Sequence, residues 1–174
     1  MTEDGIDAVV YDLDGTLVRL NVDWDAVKRE VADSLADESV EITTFTFRNM
    51  LDKAQEAGIR AEVEGIINRY EERGAQDSDR LPAADDLVNE TRPIGVCSLN
   101  CESACQVALE RHGLHEHVDA IVGRNTVGAM KPDPSPLLET VRRLSVTPER
   151  ALFIGDSDTD KLTAERAGVV FRYV

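Results

Sequence analysis

The apolar positions of this chain follow two periods. Ile6 to Tyr11, IDAVVY, is a short β-branched run ending at Asp12, which predicts a buried strand. Four later runs have the same character: Ile94–Ser98 after Pro93, Val118–Val122, Ala151–Ile154 and Val169–Tyr173. Between them the spacing lengthens to that of a helix. Residues 102–112 carry Ala104, Cys105, Ala108 and Leu109 on one face and stop at Gly113. Residues 134–144 carry Leu137, Leu138, Val141 and Leu144, with prolines at the start, and residues 159–167 precede Gly168. Strands alternating with helices predict a parallel sheet built from βαβ units.

The stretch between the first two strand runs shows only the helical period. Trp24, Val27, Val31 and Leu35 form one stripe. Phe47, Met50, Leu51 and Ala54 form a second, closed by Gly58, and Val63, Ile66, Ile67 and Tyr70 a third, closed by Gly74. Ala75 to Pro82, AQDSDRLP, is polar and reads as a hinge or linker. The prediction is an α/β, Rossmann-like parallel sheet core over residues 1–20 and 78–174, with a small α-helical cap over residues 21–77. An insertion after the first strand would stand above the C-terminal strand ends, where open α/β sheets bind ligands.

Composition narrows the range of partners. At 174 residues and 42% apolar content, the chain can bury the core of one domain with an insertion. Its 34 acidic residues outnumber 19 basic ones, for a net charge of −15. That balance argues against nucleic acid and anionic membrane surfaces as partners. Only 4 of the basic residues are lysine, beside 15 arginines. Acid-rich, lysine-poor composition resembles that of halophilic cytosolic proteins, in which concentrated salt screens self-repulsion, a merely acidic mesophile protein being the alternative. The expectation is stability that rises steeply with salt, and a melting temperature flat between dilute and molar KCl would remove it.

The start, MTEDGID, has no basic segment followed by an apolar core, so no signal peptide is expected. No apolar run approaches the ~18 residues of a membrane span, and the expected location is the cytoplasm. Cys97, Cys101 and Cys105 are an odd number in a chain that reads as cytosolic, so they are expected as buried small residues and not as a disulfide framework or metal site. His112, His115 and His117 surround a helix stop and read as a solvated turn.

The acidic residues nearest the predicted sheet fall in a pattern. Asp12 and Asp14 follow the first strand, Ser98 and Asn100 the second, and GDSDTD, Gly155 to Asp160, the fourth. Lys131 lies in an extended X-Pro segment, KPDP. In a parallel sheet these strand ends share one edge, so carboxylates, a hydroxyl and an ammonium would meet there. Such carboxylates repel one another unless a cation or proton neutralises them, and hard oxygen ligands favour Mg²⁺. A carboxylate can attack phosphorus, while a second one passes a proton to the leaving oxygen. Asn100 could orient a phosphate-binding loop or cap the helix starting near Glu102, and the cap reading is favoured.

Four motifs in order, DLDGTL from Asp12, Ser98, Lys131 in KPDP, and GDSDTD from Gly155, resemble those of the haloacid dehalogenase (HAD) superfamily. The resemblance covers nearly the whole chain. It implies that Asp12 is the nucleophile, forming an aspartyl phosphate. Asp14 would be general acid and base, its main-chain carbonyl also holding Mg²⁺. Asp12 and Asp156 would be direct metal ligands, with Asp160 close by, through water or by holding Lys131. Ser98 and the Leu99 amide would bind phosphate, and Lys131 would neutralise both nucleophile and phosphate. Gly15 and Thr16 would let the loop turn tightly toward the cap. Arg19 and Arg48 could reach a second anionic group of the substrate from the cap side.

Asp14 and Asp156 together favour a phosphatase over a carbon–halogen hydrolase. The helical block resembles the cap of phosphoglycolate phosphatase-like and β-phosphoglucomutase-like members, though somewhat short. The chain stops just after the fifth strand run, where relatives often continue with another strand and helix. The implied substrate is a small phosphorylated metabolite, phosphoglycolate as first guess, handled by a monomer or homodimer. A β-phosphoglucomutase-type phosphotransferase is the alternative, and a non-catalytic binding module on the same scaffold a further one.

Overall fold

The computed structural model describes residues 5–38 and 46–174. The first four residues, which entered the reading of the N-terminus, lie outside it. Five parallel strands form the central sheet: β1 (Ala8–Tyr11), β4 (Ile94–Cys97), β5 (Ala120–Val122), β6 (Ala151–Gly155) and β7 (Val170–Tyr173). Their order is β5-β4-β1-β6-β7, so β1 is central and the strands that follow fill in on both sides. Val9 pairs with both Ile94 and Leu152, and Tyr11 with both Val96 and Ile154. These are the five strands the apolar runs predict. The first and third begin two residues later than their runs do.

Period-two alternation divides the sheet into two faces. Val9 and Tyr11 join Val96, Leu152 and Ile154 in one apolar cluster, with Ala104, Cys105, Ala108 and Leu109 of α5 (Glu102–Arg111). Ala8, Val10, Cys97 and Phe153 join the other, against Leu137 and Val141 of α6 (Ser135–Arg143) and Ala164 and Ala167 of α7 (Asp158–Ala167). A strand buried on both faces must be apolar at every position, which explains the unbroken run in β1. The three cysteines are free and buried within this packing.

The inserted block contains α1 (Trp24–Asp37), α2 (Phe47–Ala57) and α3 (Arg60–Gln76). Its three stripes meet in a separate apolar cluster: Val27, Val31 and Leu35, then Met50, Leu51 and Ala54, then Val63, Ile66 and Ile67. Asp23 and Thr46 cap α1 and α2 by accepting from the N–H groups of Ala26 and Asn49. Gly58 ends α2 at a left-handed φ of 76°, as expected of a C-terminal glycine.

Gly74 does not end α3, which continues to Gln76. A Cβ at this position would come within 2.7 Å of Val22 Cγ2, so the glycine answers a close approach and not a helix stop. The polar Ala75–Pro82 segment is likewise more structured than a linker. Its first residues complete α3, and β3 (Asp79–Arg80) pairs antiparallel with β2 (Val18–Arg19) as a small flap. The helix α4 (Ala83–Asn89) follows at once and buries Ala84 and Leu87. No helix among the described residues is long and apolar enough to cross a membrane.

Candidate active site

The carboxyl ends of β1, β4 and β6 converge as the parallel topology requires. Asp12 leaves β1 with its N–H still donating to the Ile154 carbonyl at 2.9 Å. Its carboxylate, in a residue only 6% exposed, accepts from Lys131 Nζ at 2.7 Å. The same ammonium donates to Asp160 Oδ1 at 2.5 Å and to the Cys97 carbonyl at 3.2 Å. All three Lys131 protons therefore have acceptors, two at the ends of β1 and β4 and one in the first turn of α7.

Asp160 is fixed from its other side by α7. Ser157 Oγ donates to Asp160 Oδ2 at 2.6 Å, and the Asp160 N–H donates back to Ser157 Oγ at 3.2 Å, a reciprocal cap at the helix start. The helix start that the GDSDTD motif encodes thus also orients an acidic side chain toward Lys131.

Asp14 is half-buried, with Oδ1 accepting from the Leu20 N–H at 2.8 Å. Directly after Asp14 the chain reverses through Gly15, at φ 91°. The position expected for a Cβ there is 2.2 Å from Asp156 Oδ2. Only glycine lets Asp156 approach the first loop this closely. Thr16 is buried beside it, its hydroxyl without a hydrogen-bond partner among the described residues.

Carboxylate oxygens of Asp12, Asp156 and Asp160 lie within 4.8 Å of one another. Three hard, anionic oxygens at that separation suit Mg²⁺, which takes few protein ligands and keeps water in its remaining positions. Asp156 is the exposed member of the three.

Burial raises the Asp12 carboxyl, and the Lys131 charge pulls it back only in part. Burial also disfavours the charge on Lys131, but Asp12 and Asp160 outweigh it and hold the ammonium above its usual range. Asp14 is raised as well, first by burial, with the Leu20 N–H opposing and the charges of Asp156 and Glu71 adding to it.

The phosphate loop expected after β4 is built from Ser98, Leu99 and Asn100. The Ser98 hydroxyl donates to Asn100 Oδ1 at 3.0 Å and accepts from the Asn100 N–H at 3.1 Å. Asn100 does not cap α5. Cys101 occupies that position, and the Asn100 amide instead reaches Glu71 at 3.3 Å. A cavity of about 550 Å³ opens over these groups, lined by Asp12, Asp14, Ser98, Leu99, Lys131 and Asp156 below. Trp24, Lys28, Phe47 and Met50 of the helical block line it from above. Arg19 and Arg48 are exposed and do not line it.

Glu71, Arg124 and the cavity-lining Lys28 are functional candidates that sequence reasoning missed. Glu71 stands four residues after Ile67, on the apolar stripe of α3, and an acid on a buried stripe is the signal that could have singled it out.

Comparison with known proteins accords with this arrangement. A family model described as haloacid dehalogenase-like hydrolase matches residues 9–174. A phosphoglycolate phosphatase of Cereibacter sphaeroides is 34% identical, over 94% of this chain and 82% of the relative. One from Aquifex aeolicus is 29% identical, over 92% and 80%. Among solved structures, CbbY from Rhodobacter sphaeroides in complex with phosphate superposes with a TM-score of 0.68 at 20% identity, over 97% of this chain and 85% of that one. A subfamily IA hydrolase from Geobacter sulfurreducens gives 0.67 at 22%, over 95% and 88%. At these identities the structural matches speak to the fold.

Proposed function

This chain belongs to the haloacid dehalogenase-like hydrolase family, and on that premise we propose that it is a Mg²⁺-dependent phosphatase acting on a small phosphate monoester through a phosphorylated Asp12. The observation that carries the reading is the buried Asp12 carboxylate, held by Lys131 at 2.7 Å and facing Asp156 and Asp160.

In the first step an Asp12 oxygen bonds to phosphorus as the ester P–O bond breaks, and Asp14 delivers a proton to the leaving oxygen. In the second, Asp14 takes a proton from water, water oxygen bonds to phosphorus, and the Asp12–phosphorus bond breaks. Dividing one displacement into two lets one aspartate serve as nucleophile and the other as acid and then base. Lys131, the Ser98 hydroxyl and the Leu99 N–H would surround the transferring oxygens, where charge accumulates. Asp12, Asp156 and the Asp14 carbonyl would hold Mg²⁺, with Asp160 beside them. When bound, that ion would offset the repulsion between the carboxylates and the phosphate dianion. The helices α1–α3 would act as a cap that excludes water and reads the leaving group.

For substrate we favour a phosphorylated 2-hydroxy acid of the phosphoglycolate type. The names of the relatives support this choice. So does Lys28, a cation of the helical block that lines the cavity and could meet a second anionic group.

Phosphate release from 2-phosphoglycolate, set against sugar phosphates with Mg²⁺ in molar KCl, tests the reading. Phosphoglycolate should give the highest kcat/KM. Asp12→Asn should lower kcat by roughly 10⁴-fold or more with its circular dichroism unchanged. Near-normal turnover in that variant would overturn the mechanism, and transfer to a sugar hydroxyl in place of water would point to a phosphotransferase.

A further inference from the structure

A second buried charge pair borders the same cavity, and no step of the reaction uses it. Glu71, on α3, is 1% exposed, and Arg124, just after β5, is 5% exposed. Glu71 also lines the cavity. A carboxylate there would repel a phosphate dianion unless its charge were consumed locally.

It is consumed on both oxygens. Arg124 Nη1 donates to Glu71 Oε1 at 2.8 Å, and Asn100 Nδ2 donates to the same oxygen at 3.3 Å. The Cys101 N–H donates to Oε2 at 2.9 Å. Arg124 is equally committed. Its Nη1 also donates to the Leu99 carbonyl at 2.7 Å, its Nη2 to Asn68 Oδ1 at 2.6 Å, and its backbone N–H to the Asn100 carbonyl at 2.9 Å. The guanidinium carbon lies 4.9 Å from the centre of the Phe47 ring.

The destinations of these bonds carry the argument. On the core side they end on residues 99, 100 and 101, the loop that follows Ser98. Ser98 is joined to the same network through Asn100 Oδ1. On the other side they end on α3, Asn68 and Phe47, all within the helical block. A buried ion pair is weak evidence for stability alone, since apolar residues of equal volume often do as well. This pair instead fixes both the carbonyl of Leu99 and the side chain that orients the Ser98 hydroxyl.

We propose that Glu71 and Arg124 are a positioning pair that presets the Ser98–Asn100 loop for phosphate and makes its competence depend on α3 being docked. The inference rests on the phosphatase reading, because that reading assigns phosphate to Ser98 and Leu99.

Inorganic phosphate binding, measured by calorimetry with Mg²⁺ on the full chain, tests it. The expected result for Glu71→Gln is a dissociation constant raised on the order of tenfold. KM for the ester should rise with it, and kcat should fall less. The double variant Glu71→Met/Arg124→Met carries no unpaired buried charge and should recover the melting temperature lost by either single change. Positioning requires its phosphate affinity to stay low. Affinity that returns with stability would make the pair merely structural and overturn the proposal, as would phosphate binding within twofold of wild type in folded Glu71→Gln. If the wild-type protein itself binds no phosphate, the phosphatase reading fails first and the pair's role fails with it.

Discussion

Two buried cations stand at the same edge of the sheet, and their surroundings differ in one respect. Lys131 is shared between two carboxylates, Asp12 and Asp160, and a third, Asp156, stands exposed beside them. Negative charge exceeds positive there. Arg124 meets one carboxylate, Glu71, and every other contact of the pair ends on a neutral amide, carbonyl or ring. The first centre has charge left for a metal ion and for phosphorus. The second is balanced within itself and leaves nothing over for a ligand. Burial and ion pairing are common to both, so on the proposed reading neither property marks the reacting centre; the surplus of charge does.

Removing each cation separates the two centres most sharply. Lys131→Met and Arg124→Met should each lower unfolding free energy by about 3–5 kcal/mol, because either change strands buried carboxylate. Only Lys131→Met should also abolish turnover at saturating ester, whereas Arg124→Met should express its loss mainly in KM. Urea titrations paired with steady-state kinetics would show the contrast, and equal kcat losses would erase it.

Cation addition should act on the first centre alone. Thermal unfolding should shift upward with Mg²⁺, by about 2–3 kcal/mol of stability at a hundred times its dissociation constant. Asp156→Asn should remove most of that shift and Glu71→Gln little of it. An identical Mg²⁺ response in Asp156→Asn and wild type would place the ion elsewhere.

A smaller effect belongs to Lys28, whose side chain is 41% exposed. Lys28→Ala should raise KM a few-fold for esters carrying a second anionic group and leave neutral-tailed esters unchanged, as expected of a partly screened charge. A uniform change across both substrate types would remove the discriminating role.

The smallest effect lies outside both centres and serves as a control. Burial pushes the Tyr11 phenol up to about 12, with nearby Glu90 and Asp86 adding to it. The unfolded chain ionises this phenol near pH 10. Its contribution is therefore intact below about pH 10 and declines as pH rises toward 12, since above pH 10 the unfolded state binds fewer protons. Urea midpoints between pH 9 and 11 should fall less steeply in Tyr11→Phe. Identical slopes would mean that the folded and unfolded phenols titrate alike.

Much of the core was legible because strands buried on both faces leave unbroken apolar runs, and the catalytic candidates lie where those runs stop. Asp12, Ser98 and Asp156 could be placed by strand ends alone. The flap of β2 and β3 could not, since a two-residue strand has no period to detect. Gly74 was misread because a glycine demanded by a neighbour and a glycine that ends a helix look the same in one dimension. α4 was missed because its two buried residues, Ala84 and Leu87, stand among acids that carry no local signal. Glu71 escaped for a related reason: with 34 acidic residues in the chain, one more drew no notice, and its partner Arg124 is 53 positions away.

The contact at Gly74 bears on how the helical block can move. The Asn21 N–H donates to the Gly74 carbonyl at 3.1 Å, and the Asn21 amide donates to Asp77 Oδ2 at 2.9 Å. The outgoing and returning chains are thus laced side by side, with β2 and β3 paired just beneath them. Two separate tethers would let the block twist and slide as well as tilt. If the helical block moves as the proposed cap, laced tethers would act as one strap and leave it a single easy axis over Asp12. A side chain at position 74 would meet Val22 and the backbone of Asn21, and so would pry the two segments of the strap apart.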